Sequence, residues 1–518
     1  MIRSLCTLAT GLLLGSGACA AAPQQDSVRC SQLVDPGKSF TFNTRETITP
    51  ADNWRPQEAS SYEPVAINVS FCRVSGTIEG NIGLELWLPL RSQWNGRLLG
   101  TGVGGDAGVF NFTDMGQRLN EGFASFSTDS GHKRSGDPRW MADPKARQDY
   151  THRAVHQATL AAKRLVRQFY GEAQQYSYFL GCSGGGRQGM KEMQTYPGDF
   201  DGIVSGGPAP YMPLQSVRMM WFALQQKQSP EAALTNEDWD LYETAATQHC
   251  DARDGVTDGV VENIAACDFD PAVLACSGGE DACLSTAKLQ MLQQIIRPMV
   301  DEQGQPMDRG LFSGVRTRQG PPSPLLRAMW ADGVYDDPQW NEDGFQRTRD
   351  LALVNDAMPE LRADSTYIDE YLEGGGKAII YQGWSDPSTV AGLAIDYYRQ
   401  LSATYGGVEA LSDSVRLFLV PGMYHCRRGP GADQFGGSRH QTWPGDGERD
   451  ILWSMIHWVE QGVAPDHLVA SKLDGEDTRF TRKICPFPQS AVYDGKADEN
   501  AHQSFHCEDD PVLEVMLQ

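Results

Sequence analysis

Three residues of this chain have the types and settings for nucleophilic catalysis: Ser183, Asp386 and His425. Ser183 lies in Gly181-Cys182-Ser183-Gly184-Gly185, a G-x-S-x-G pattern. Such a pattern holds a serine on a sharp turn from strand to helix, with glycines where a Cβ would collide with neighbouring backbone. A serine hydroxyl is a weak nucleophile until a base takes its proton and a carboxylate orients that base. Asp386 follows the run Lys377-Ala-Ile-Ile-Tyr381 in a turn closed by Pro387, and His425 follows the run Val415 to Val420. Both therefore belong at the carboxyl ends of buried strands, the edge where the serine stands and where open α/β sheets build their sites. Among the other histidines, His457 sits in a helical run, and His440, His467, His502 and His506 do not follow a strand so directly. Asp364 and Asp369 are weaker acid candidates, because they precede the strand.

The elements that position these residues are visible as apolar patterns. Tyr176 to Leu180 reads as the strand before the serine and Gln188 to Tyr196 as helix after it. Gly83 to Leu90, Leu98-Leu99, Gly122 to Thr128 and Phe200 to Pro208 read as further strands or their turns. Lys145 to Tyr170 and Arg449 to Gly462 read as amphipathic helices. Strands alternating with helices predict an α/β fold with a mainly parallel sheet covered on both faces, and with the serine motif an α/β-hydrolase. The glycine-rich stretch Gly100 to Gly108 follows an early strand, where this fold class places an oxyanion-hole N–H. A phosphate-binding G-x-G-x-x-G reading fits poorly: Asn111-Phe-Thr-Asp114 reads as a poor helix start and no ribose-binding acid is evident. Residues 23–207 and 374–518 are expected to form the catalytic domain, and 208–373 an inserted lid with its own small core. Trp330, Tyr335 and Phe345 are candidates to face the site from that lid.

The chain has 518 residues, 40% hydrophobic and 21% charged, as in ordinary globular proteins. Its net charge of −23 would repel phosphates, which argues against nucleic acid or an anionic membrane as partner. Residues 1–22 read as a secretory signal: Arg3, a short apolar stretch from Leu5 to Leu14, and cleavage at Ala18-Cys19-Ala20 or Ala20-Ala21-Ala22. Lipid attachment at Cys19 is disfavoured, since Ser16-Gly17-Ala18 lacks the usual large aliphatic residue. The expectation is a secreted or periplasmic protein without a membrane span. Asn68-Val-Ser and Asn111-Phe-Thr are glycosylation sequons, relevant only in a eukaryotic host. Of twelve cysteines, ten lie beyond the signal, an even number that reads as five disulfides. Spacing suggests Cys30–Cys72, Cys250–Cys267, Cys276–Cys283 and Cys485–Cys507, which leaves Cys182 for Cys426.

A second set of residues could bind a cation. Asp251, Asp254 and Asp258, with two glycines, Gly255 and Gly259, can wrap a hard ion or form a solvated acidic turn. It is not an EF-hand, and the bracketing cysteines Cys250 and Cys267 favour Ca2+.

Together these stretches resemble the tannase/feruloyl esterase family, which includes feruloyl esterases, tannases and a mono(2-hydroxyethyl) terephthalate hydrolase. The resemblance runs from about Cys30 to Cys507. It rests on Trp94-Asn-Gly-Arg97, Gly181 to Gly189, Phe200 to Val204, Asp251 to Val260, Gly383-Trp-Ser-Asp386 and Val420 to Cys426. It implies a disulfide between the cysteines beside the catalytic serine and histidine, here Cys182 and Cys426. It implies a structural lid Ca2+ held by Asp251, Asp254, Asp258 and the carbonyls of Val256 and Val260, and an oxyanion hole from the N–H groups of Gly105 and Gly184. The implied activity is serine carboxylester hydrolysis of small aromatic esters carried on plant polysaccharide or polyphenol. Feruloyl or other hydroxycinnamoyl esters come first, galloyl or terephthalate esters as alternatives. The chain departs from the terephthalate enzyme in a shorter lid and in Gly184, where that enzyme carries Glu and many feruloyl esterases Thr. The reading from another class is an inactive, secreted, Ca2+-dependent binding protein, against which the complete Ser/Asp/His set argues.

Overall fold

The computed structural model describes residues 22–50, 54–56, 60, 63–278, 282–318 and 320–517. The export signal expected at residues 1–22, with Cys19, lies outside them except for Ala22. A nine-stranded sheet organises the chain. Its strands are β1 (Thr41–Ile48), β2 (Phe71–Ile78), β3 (Ile82–Pro89), β4 (Arg97–Thr101), β5 (Ala124–Thr128), β6 (Tyr176–Cys182), β7 (Gly202–Gly206), β8 (Lys377–Gly383) and β9 (Val415–Val420). Their order is β1-β2-β3-β5-β4-β6-β7-β8-β9. The β1–β2, β2–β3 and β3–β5 pairs are antiparallel, and the pairs from β5 through β4 to β9 are parallel.

The period-2 geometry of a strand sends successive side chains to opposite faces. Phe179, Ile203, Ile380 and Leu417 join the core on one face, while Tyr178, Leu180, Val204, Ile379 and Phe418 join the core on the other. That is why these strands read as unbroken apolar runs. Each such side chain, once fully buried, contributes roughly 1.5–3 kcal/mol.

Two local expectations fail. The helix expected over Lys145 to Tyr170 is interrupted: Pro144–Gln148 is followed by a π turn at Asp149–Arg153 and then by the helix Ala154–Tyr170. The guanidinium of Arg187 donates to the carbonyls of Thr151 at 2.8 Å and Tyr150 at 3.2 Å, so these carbonyls are satisfied from outside the helix. Asn111-Phe-Thr-Asp114 does start a helix, Phe112–Asn120. The Asn111 side chain caps it by accepting from Asp114 N at 3.2 Å. Asn111 is also buried, which takes its sequon out of reach of a modifying enzyme in the folded chain.

The segment between β7 and β8 is mostly helical, with helices Met212–Gln228, Asn236–Cys250, Thr286–Ile296, Pro324–Ala331 and Arg347–Ala357. It carries its own apolar core, in which Trp239, Leu292, Ile295, Met329 and Trp330 are buried. Beyond β9, hairpins Leu468–Asp474/Asp477–Ile484 and Gln489–Tyr493/Phe505–Asp509 close the chain. The disulfides are Cys30–Cys72, Cys182–Cys426, Cys250–Cys267, Cys276–Cys283 and Cys485–Cys507. Among the described residues no helix is long and apolar enough to cross a membrane.

Candidate active site

Ser183 stands between β6 and the helix Gly184–Thr195, with φ 64° and ψ −128°. This backbone conformation is strained for a residue with a Cβ, at a cost of about 1–3 kcal/mol. The surroundings leave little choice. Ser183 N donates to Gly206 O at 2.8 Å, tying the turn to β7. A Cβ on Gly185 would sit 2.9 Å from the backbone of Gly102, and one on Gly181 2.5 Å from Gly185 O. Glycines at these positions let the helix after Ser183 press against the glycine-rich loop after β4.

The loops after β8 and β9 bring Asp386 and His425 to the same edge. His425 Nε2 lies 2.8 Å from Ser183 Oγ, and His425 Nδ1 lies 2.7 Å from Asp386 Oδ2. With Asp386 ionised, Nδ1–H donates to the carboxylate and Nε2 is left to accept the serine proton. Asp386 is fully buried. Burial alone would raise its carboxyl. The neighbouring His425 and hydrogen bonds from His425 and Thr389 outweigh that and hold it below the ordinary carboxylate value.

Thr389 Oγ1 donates to Asp386 Oδ2 at 2.6 Å, and Gln382 Nε2 donates to the same oxygen at 3.1 Å. The N–H groups of Ser388 and Thr389 donate to Oδ1 at 2.7 and 2.9 Å. Sequence reading missed Thr389 and Gln382. The Asp-Pro-Ser-Thr order, which suits an aspartate turn capped from three residues on, is the signal that was there. His440, set aside as the base because it does not follow a strand directly, has another place: its Nε2–H donates to the carbonyl of Cys426 at 2.6 Å. Burial pushes the His440 pKa down to about 4, so it serves as a neutral donor bracing the turn that carries His425.

Gly184 and Gly105 lie side by side: a Cβ on Gly184 would be 3.2 Å from Gly105 N. Gly184 N–H is in the first turn of a helix, where backbone donors lack intrahelical partners and the helix dipole favours negative charge. The Gly105 loop is anchored by Tyr150, whose hydroxyl donates to Gly105 O at 2.9 Å, and by Gln188 Oε1, which accepts from Val103 N at 3.1 Å.

Ser183 and His425 open onto a cavity of about 360 Å³. From the segment between β7 and β8 it receives Met212, Met219, Leu325 and Leu326, with Gln215 and Arg318 among its polar groups. Trp330, Tyr335 and Phe345 do not line it. Trp330 and Phe345 pack edge to face with centroids 5.0 Å apart, and Tyr335 donates to Asp350 at 2.6 Å. The largest rings of this segment are used for its own core, while methionine and leucine face the cavity.

Asp251, Asp254 and Asp258 fold into one loop after the helix Asn236–Cys250. Asp251 accepts from Gly259 N at 3.1 Å, Asp254 from Val256 N at 3.1 Å and Asp258 from Val260 N at 2.9 Å. Arg482 pairs with Asp258. Burial raises the Asp254 carboxyl to about 6, and Asp258 and Asp251 add to this against backbone hydrogen bonds from Glu262 and Val256. Burial likewise raises Glu262, missed from sequence, from 4.5 to about 8, with Asp254 adding to it. Asp251 is buried and Asp254, Asp258 and Glu262 are half-buried, an all-oxygen set of the kind that a hard cation such as Ca2+ takes.

A family profile described as tannase and feruloyl esterase matches residues 66–331 and 339–508. The chain is 30% identical over 504 residues to feruloyl esterase C of Talaromyces stipitatus, covering 92% of this chain and 94% of that one. It is 29% identical to a probable feruloyl esterase B-1 of Aspergillus terreus, over 84% of this chain and 86% of that one. Among solved structures it is similar to feruloyl esterase B from Aspergillus oryzae, with TM-score 0.86, 25% identity, and 93% of this chain and 100% of that chain covered. The fold is shared with the tannin acyl hydrolase from Aspergillus niger, at TM-score 0.76 and 22% identity over 95% of this chain and 96% of that one.

Proposed function

The chain belongs to the tannase and feruloyl esterase family and is a carboxylic ester hydrolase, and from that premise we propose that it cleaves feruloyl or related hydroxycinnamoyl esters through Ser183, His425 and Asp386. The observation that carries this reading is the unbroken chain from Asp386 Oδ2 through His425 to Ser183 Oγ, with steps of 2.7 and 2.8 Å, at one end of an apolar cavity. Ser183 Oγ attacks the ester carbonyl as His425 Nε2 takes its proton. Asp386 orients the ring and stabilises the imidazolium. The N–H groups of Gly105 and Gly184 receive the oxyanion, each such donor contributing about 2.7–4 kcal/mol. The tetrahedral intermediate expels the alcohol, which takes the proton from His425. Water then attacks the acyl-enzyme with His425 again as base.

The acyl preference rests on the named relatives and on the cavity. Met212, Met219, Leu325 and Leu326 offer polarizable, apolar surface to a flat ring. The alcohol side is a polysaccharide or polyphenol hydroxyl. Residues 208–373 act as a lid over this site. A structural Ca2+ would be held by Asp251, Asp254, Asp258 and the carbonyls of Val256 and Val260. It would neutralise the carboxylates of that loop and supply no part of the ester chemistry. Five disulfides suit an oxidising compartment, in keeping with secretion or export to a periplasm.

The test is a comparison of initial rates on methyl ferulate, methyl gallate and mono(2-hydroxyethyl) terephthalate, with wild type and Ser183→Ala side by side. Ferulate is expected to be turned over fastest, and only by the wild type. Preference for gallate or the terephthalate ester would overturn the acyl assignment and keep the triad. Equal turnover by Ser183→Ala would overturn the triad.

A further inference from the structure

Away from Ser183, three ligating side chains from separate elements meet. His156 comes from the helix Ala154–Tyr170, Glu192 from the helix that begins at Gly184, and Asp199 from the loop leading into β7. A ring nitrogen of His156 and one carboxylate oxygen each from Glu192 and Asp199 all lie within 4.8 Å of one another. His156 Nδ1 is 2.6 Å from Asp199 Oδ2, and its ring is stacked on Tyr196 with centroids 3.8 Å apart. Glu192 is only 1% exposed, yet its Oε2 has no hydrogen-bond partner. The nearby Lys163 ammonium does not supply one: it donates to the carbonyls of Gly198 and Asp199 at 3.2 and 2.6 Å. A buried carboxylate that meets a second carboxylate and an imidazole, with no N–H or ammonium donating to its Oε2, needs a proton or a cation between the groups.

We propose that His156, Glu192 and Asp199 form a binding site for a divalent cation of the zinc type. One imidazole nitrogen and two carboxylate oxygens are a usual zinc donor set, with water as fourth ligand. Ligand bonds of about 2.0–2.2 Å require the donor atoms to stand about 3.3 Å apart in a tetrahedron. The His156–Asp199 contact therefore opens by under an ångström as the ion enters. The bound ion joins the nucleophile helix to the helix before it and to the lead-in of β7. The other converging group, His249, Cys250 and Asp268, is not equivalent, because the Cys250 sulfur is bonded to Cys267.

The test uses the full chain, stripped of metals and then kept in excess Ca2+. Co2+ is added as a visible-absorbing probe and displaced with Zn2+. Wild type is expected to bind a single tight equivalent of Co2+ with d–d absorption, to release it to Zn2+, and to melt at a higher temperature with Zn2+. Glu192→Gln and His156→Ala are expected to bind at least about 100-fold more weakly, while His249→Ala, in the converging group whose cysteine is disulfide-bonded, binds as wild type. Glu192→Gln keeps the size of the side chain and offers an N–H toward Asp199, so without metal it melts no lower than wild type, which separates lost binding from lost folding. Absence of the absorption band in wild type overturns the site, as does a band retained by Glu192→Gln. In that event the two carboxyls share a proton.

Discussion

Cys182 and Cys426 are bonded to each other across 244 residues of sequence, and their chain neighbours Ser183 and His425 meet at 2.8 Å between Oγ and Nε2. The bond thus joins the turn after β6 to the turn after β9 with β7 and β8 lying between them in the sheet. It does so at the point where a shift of an ångström would separate base from nucleophile. Replacing both cysteines by alanine is expected to cost about 2–5 kcal/mol of stability. It should also lower kcat more than it raises KM, because the lost element positions the base. Denaturant midpoints and steady-state kinetics on the same preparation check both. A kcat equal to wild type in the folded variant would show that the bond serves stability alone.

Asp386→Asn keeps the shape of the turn but removes the charge that fixes the His425 tautomer. A fall in kcat of about 10⁴ is expected. Thr389→Val removes one of the hydrogen bonds that hold Asp386 ionised against its burial. A loss of about tenfold is expected, with the acid limb of the kcat/KM profile moving to higher pH. An unmoved acid limb would assign Thr389 to packing.

Tyr150→Phe removes the hydroxyl that anchors Gly105. Complete loss of an oxyanion donor costs about 10²–10³ in kcat, and a loosened loop should cost less, about tenfold, with KM little changed. Rates on methyl ferulate for the variant and wild type measure this directly.

The acidic loop makes stability depend on pH in a definite direction. Glu262 is raised to about 8, so the folded state holds a proton that the unfolded chain releases above 4.5. In chelator, stability is therefore greatest below about pH 4.5 as far as this group is concerned, and it is lost as pH rises toward 8. Added Ca2+ should restore the melting temperature at pH 8 and do little at pH 5, since protonated carboxyls bind it poorly. Melting curves at the two pH values, with and without Ca2+, decide it. No effect of Ca2+ at pH 8 would remove the ion from the loop.

Met219→Trp narrows the cavity beside Ser183 without touching the reacting groups. Turnover of methyl ferulate should fall by at least tenfold while that of p-nitrophenyl acetate persists. Parallel loss of both would place Met219 in the folding of the segment instead.

The parallel half of the sheet and the convergence of Ser183, Asp386 and His425 are legible in sequence, because each element has a local signature. An apolar run marks the strand, and a glycine or proline turn marks where it ends. The nucleophile turn carries three glycines whose absence of Cβ is a packing requirement visible as a pattern. Longer-range relations are less legible. Thr389 and His440 act through single hydrogen bonds whose partners are set by turn geometry. The π turn at Asp149–Arg153 depends on Arg187, a side chain from another helix. The cavity wall is not legible, because sequence does not say which apolar side chains of this segment leave its own core to face the site. In the structure Trp330 and Phe345 stabilise the helical segment, and the flexible side chains of Met212 and Met219 meet the cavity.

The most direct measurement is mass spectrometry of the chain after reaction with a fluorophosphonate, followed in step with ester hydrolysis. One phosphonyl adduct on the peptide containing Ser183, rising as activity on methyl ferulate falls and absent when His425 is replaced by Ala, is the predicted result. Activity lost without an adduct on Ser183, or retained by fully labelled protein, would contradict the assignment of Ser183 as the nucleophile.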